Sequence, residues 1–114
     1  MAEETFTVHF NKRKSFFIVH LHDVHPDTFA RKKGGRWGYF LQADGAGSVG
    51  YFGDVHFVAS RLRQSLISHE LEHLRAAWYW EVLGETLTRK NEERFIAFLD
   101  VLTDNFYRAY EKAV

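Results

Sequence analysis

The chain contains no cysteine, one proline, one methionine and no net charge, with 15 Lys and Arg balancing 15 Asp and Glu. Without cysteine there are no disulfides and no thiolate metal sites, so His, Asp and Glu are the strong metal ligands left. A neutral chain sets up no general field for nucleic acid or an anionic membrane, and any such contact has to be a local patch. The longest early apolar run, Phe16 to Val19, is far too short to span a bilayer. Met1 to Thr7 carries Glu3 and Glu4 and does not read as a secretion signal, so a cytoplasmic protein without membrane contact is expected. Repeats, low-complexity tracts and linkers are also missing. At 114 residues the expectation is a single domain over 1–114, too small for two lobes around a deep cleft.

Aromatic residues, by contrast, are plentiful: 11 Phe, 5 Tyr and 3 Trp. They call for a bulky core, an aromatic-lined groove or a subunit contact, and a homodimer is compatible with that number. The first half of the chain reads as strands. Thr5 to Phe10, Ser15 to Asp23, Arg36 to Gln42 and Val49 to Val58 are rich in Phe, Val, Ile and Tyr and are separated by turn-like stretches. The Gly-containing segment Ala43 to Ser48 is read as a hairpin turn, because neither a helix start nor Lys-Ser/Thr follows it as a phosphate loop requires.

From Ser60 the apolar spacing becomes helical. One helix is predicted over about 60–83, stopping at Gly84, and a second over about 89–112, with the Thr88 hydroxyl as its N-cap. The expected architecture is α+β: a small twisted sheet of three or four strands, spanning about 5–58, covered by two long helices.

Within the first helix stands His69-Glu70-Leu71-Glu72-His73. Residues four apart stack on one helical face, so both imidazoles can address one Zn²⁺ while Glu70 acts on water beside it. By helical phase, Leu62, Leu66, His69, His73, Ala76, Ala77 and Trp80 share a stripe, and Ile67, Leu71, Leu74 and Trp78 form a second. The histidines are therefore expected on an inward face, and Ser68, Glu72, Arg75 and Tyr79 on a polar one. A third ligand is sought on the second helix, whose inner stripe is read as Glu92, Phe95, Ile96, Leu99, Thr103, Phe106 and Tyr110. A carboxylate facing a core needs a compensating charge, which favours Glu92 over Glu93, the latter lying in phase with Asp100 and Asp104.

The motif, followed by Asn91-Glu92, resembles the signature of the gluzincin metallopeptidases, and Gly53 to Ala59 through the second helix looks like small phage and prophage proteins with a minimal zincin-type core. The resemblance implies a zincin-like fold and zinc held by His69, His73 and Glu92. It further implies Glu70 as general base and an extended peptide lying along Gly53 to Ala59. The implied function is a zinc-dependent metallopeptidase hydrolysing a peptide bond in a narrow or partner-specific peptide or protein substrate. Two positions depart from the family pattern. Ile96 stands where thermolysin-like enzymes carry an Asp that orients a zinc histidine, and only Tyr107 and Tyr110 follow as candidates to stabilise an oxyanion.

Other signals compete. His20 and His22 alternate on one strand face and, with His25, raise a second metal site as the less favoured reading. His9 and His56 are given no role. Lys12-Arg13-Lys14 and Arg31-Lys32-Lys33, the latter followed by Arg36, Trp37 and Tyr39, support an alternative function. In it, the chain is a non-catalytic phage-type binding or adaptor protein with a structural or vestigial metal site, touching nucleic acid through its basic loops. A neutral chain disfavours that nucleic-acid contact.

Overall fold

The computed structural model describes residues 3–23 and 37–113. The expectations placed on His25, on the turn around Pro26 and on the basic run Arg31 to Arg36 fall outside those residues.

Four strands form, close to the segments chosen for their β-branched and aromatic content: β1 (Glu3–Phe10), β2 (Ser15–His22), β3 (Gly38–Gln42) and β4 (Gly50–Val58). They make one mixed sheet in the order β1-β2-β4-β3. The β1/β2 and β3/β4 pairs are antiparallel, whereas β2 and β4 run parallel, with His20 opposite His56. Strict alternation along β2 puts Phe17, Val19 and Leu21 inside.

In β4 the alternation breaks. The register steps from Phe16↔Tyr51 to Phe17↔Gly53, so Phe52 is the extra residue of a bulge. Phe52 is fully buried, yet Asp54 and His56, which would share its face in a regular strand, lie on the opposite one among less buried residues.

Two helices cover one face of the sheet: α1 (Gln64–Ala77) and α2 (Glu92–Ala113). The expectation of two long helices needs correction at the first. A 3-10 turn at Ala59–Arg61 precedes α1, which has 14 residues and widens into a π turn over Trp78–Leu83 before stopping at Gly84. Gly84 takes φ +66, the left-handed conformation that suits glycine at a helix end.

The core is aromatic and continuous. Phe10, Phe52 and Trp78 meet edge to face, the Phe10–Trp78 centroids 4.9 Å apart, and Phe106 of α2 packs edge-on against Phe6 and Phe57. Among the described residues no helix is long and apolar enough to cross a membrane.

Candidate functional site

Which way α1 faces decides the geometry of the motif. Ile67, Leu71, Leu74 and Trp78 enter the core. The flank expected to be polar lies against α2 instead. Tyr79 is buried with its ring 3.9 Å from that of Phe95, while Arg75 donates to the Phe95 carbonyl at 3.0 Å and to Glu72 at 2.5 Å. With those two directions taken, the third is left to solvent.

His69, His73 and Ala76 are exposed, and Trp80 is 68% exposed. The inward placement expected for the two histidines is thus overturned: two apolar stripes compete on one helix, and the sheet accepts the one made of larger side chains. The inner stripe of α2 shifts similarly. Leu102 is fully buried beside Phe95 and Phe106, whereas Ile96 is 47% exposed and Glu92 and Glu93 face solvent.

The histidines do converge. Their Nε2 atoms lie 3.2 Å apart, with the rings edge to face. Glu70 is 3% exposed and lines the same open cleft as His69. This cleft, of about 400 Å³, is bounded by Trp37, Gly38, Arg63 and Leu66. Gly38 opens β3, so the strand that borders the motif is β3, an edge of the sheet. The expectation that Gly53 to Ala59 forms that edge is overturned, because β4 lies between β2 and β3 and its backbone is paired on both sides.

Glu92, at the first turn of α2, does not join the histidine pair. Among the described residues no three His, Asp or Glu side chains are grouped so as to hold a metal. Its neighbour Asn91 is buried and structural: Oδ1 accepts from the Thr88 amide at 2.7 Å and Nδ2 donates to the Thr86 carbonyl at 2.7 Å. Tyr110 packs on Phe6 and Phe106, in the core.

A second cluster occupies the sheet face opposite the helices. His20 Nε2 meets Asp54 Oδ1 at 2.7 Å, the Tyr51 hydroxyl donates to Asp54 Oδ2, and His22 Nε2 lies 2.9 Å from His56 Nδ1. The imidazoles of His20 and His56 stack at 4.3 Å, and Tyr39 stacks on His56 at 4.5 Å. Partial burial pushes the Asp54 carboxyl up, but hydrogen bonds from Tyr51 and His20 and the nearby imidazoles outweigh it and hold the group below its ordinary 3.8. The same hydrogen bond pushes the Tyr51 hydroxyl up to about 12. The sequence pattern assigns no role to His56, Asp54 or Tyr51, and Tyr39 figures in it only as a stacking ring after the basic run Arg31 to Arg36. The bulge at Phe52, which sets Tyr51 on the same face as Asp54 and His56, has no clear mark in the sequence.

No protein-family model, curated protein or solved structure matches this chain.

Proposed function

We propose that the His69/His73 face of α1 holds a divalent metal, zinc, and that the chain is a zinc-dependent peptidase with a narrow substrate and a zincin-like core. The observation that carries this reading is the convergence of the two Nε2 atoms at 3.2 Å. Two nitrogens bound at about 2.0–2.1 Å to one tetrahedral ion lie roughly 3.3–3.4 Å apart, so the pair already has the required bite.

The donor set therefore fits at two positions. Glu92, the third ligand in this proposal, has to be brought in by movement of the first turn of α2. Bound zinc supplies a Lewis acid and a water acidic near neutral pH. The chain supplies the remainder. Glu70, buried along the same cleft, takes the proton of the attacking water on its carboxylate and passes it to the leaving nitrogen. The outer edge of β3 holds an extended substrate by backbone hydrogen bonds.

The exposed position of Glu92 favours a second reading, a non-catalytic binding or adaptor protein whose histidine pair is a structural or vestigial metal site. Metal analysis of the purified protein beside His69→Ala, Glu92→Ala, Glu93→Ala and Glu70→Gln variants separates the two. The peptidase reading expects stoichiometric zinc lost in His69→Ala and Glu92→Ala but kept in Glu93→Ala. It also expects Glu70→Gln to keep zinc and lose cleavage of a peptide library. Zinc retained by His69→Ala, or cleavage by Glu70→Gln at the parental rate, overturns it.

A further inference from the structure

At the far end of the sheet from β3, β1 is the other edge strand. The Asn105 side chain of α2 donates to the His9 carbonyl at 3.0 Å, so that carbonyl points away from β2. In an antiparallel pair the N–H and C=O of one residue point the same way and alternate residues repeat the direction. The amide and carbonyl of Thr7 are therefore directed outward too. Among the described residues no strand pairs with this edge.

Alongside it runs a cleft of about 740 Å³ between β1, the β1–β2 turn and the C-terminal half of α2. Lys12 and Arg13 stand on the turn and Arg108 and Lys112 on the helix, and among the described residues neither Asp nor Glu lines the cleft. None of the four cations makes an ion pair among the described residues. The turn is held in place. Asn11, Lys12 and Arg13 all take left-handed φ values of 53, 55 and 66. Asn11 Nδ2 donates to the Ser48 carbonyl at 3.0 Å. His9, which also lines the cleft, keeps a buried Nδ1 with no hydrogen-bond partner among the described residues, an arrangement native structures rarely leave unused.

We propose that this cleft takes an extended acidic peptide segment, added as a strand to the outer edge of β1 with its carboxylates on Lys12, Arg13, Arg108 and Lys112. Open edge amides are recognised by another peptide backbone, which a nucleic acid does not offer. The two phenyl rings that line the cleft among the described residues, Phe6 and Phe10, are 9% and 1% exposed and offer a base no stacking face. Four uncompensated cations call for a ligand with net negative charge, which a second copy of this neutral chain lacks.

The test is fluorescence anisotropy of the full chain with a labelled peptide of alternating Glu and Val, beside a Lys-Val peptide of equal length and an oligo-dT. Binding is expected for the acidic peptide alone. The Arg108→Glu, Lys112→Glu double variant, altered only on the exposed side of α2, is expected to weaken it by about tenfold or more, equivalent to roughly 1.4 kcal/mol. Thr7→Pro removes the outward amide, keeps every cation and suits an edge position, and it too is expected to abolish binding. Binding of oligo-dT as tight as that of the peptide, or parental affinity in the double variant, overturns the proposal. So does self-association of the chain that Thr7→Pro abolishes in sedimentation. His69→Ala is expected to leave the peptide affinity unchanged, so this test stands apart from the fate of the metal site.

Discussion

Asp54 shows how one carboxylate organises its surroundings. It accepts from Tyr51 and from His20, and those bonds hold it ionised below its ordinary 3.8. A group with a depressed folded-state pKa contributes stability above its unfolded value and loses it as pH falls through the folded one. Asp54→Asn is therefore expected to destabilise the protein at neutral pH by on the order of 1–2 kcal/mol, toward the low end because the carboxyl is partly solvated. In urea melts across pH, the difference from the parent should shrink as pH drops below the ordinary carboxylate range. A gap unchanged in acid contradicts the assignment. Tyr51 has the opposite sign. With its pKa raised from 10.0 to about 12, its contribution is complete below pH 10 and lost as pH rises toward 12. Ultraviolet titration should show a tyrosine step near pH 12, and Tyr51→Phe should remove that step. None of this cluster was legible as a unit. His20 and His22 stood out by their alternation, and Asp54 and His56 alternate with the buried Val55 and Phe57, but Tyr51 shares their face only because the bulge at Phe52 breaks the period-2 count.

At the scale of elements, the strands were the most readable part of the chain, because Phe, Val and Ile runs bounded by turn residues leave few alternatives. Helix α1 was readable in existence but not in rotation. Two stripes, one carrying Leu66, His69 and His73 and one carrying Ile67, Leu71 and Leu74, are both apolar enough to be buried, and periodicity alone does not choose between them. Packing chooses: Leu71 and Leu74 are fully buried, and the histidines are not. Accordingly Leu71→Ala is expected to cost about 2–5 kcal/mol in urea unfolding, whereas His73→Ala in metal-free protein should stay within roughly 0.5 kcal/mol. Comparable losses would mean that the helix is rotated toward its histidine face. Strand β4 carries its own constraint at Gly53, where an added Cβ would sit 2.3 Å from the Leu41 carbonyl oxygen. Gly53→Ala should therefore separate β3 from β4 and lower the melting temperature, although alanine has the higher intrinsic strand compatibility of the two.

Taken whole, the molecule sets its two helices on one sheet face, an arrangement that follows from alternating burial in β1 and β2. It also presents two opposite edges, β3 beside the histidine pair and β1 beside the cationic cleft. Strand order was the part the sequence could not disclose. The parallel β2–β4 pairing inserts β4 into the sheet and pushes β3 outward, so that β3, and not β4, is the edge bordering the histidine motif. The position of Glu92 is likewise a property of the whole chain, since it follows a connection pinned by Asn91 and by the Arg94–Glu85 ion pair at 3.0 Å. If zinc draws Glu92 to His69 and His73, that connection must rearrange. Zinc should then change amide hydrogen exchange across residues 84–92 and stabilise the fold by about 2.7 kcal/mol at a hundredfold excess over its Kd. Glu92→Ala should lower the zinc affinity and abolish the exchange change. An equal zinc-induced rise in melting temperature in parent and variant, with exchange in 84–92 unaltered in both, would instead mean that the ion sits on the two imidazoles alone, and the protein would then be a binding module and not a hydrolase.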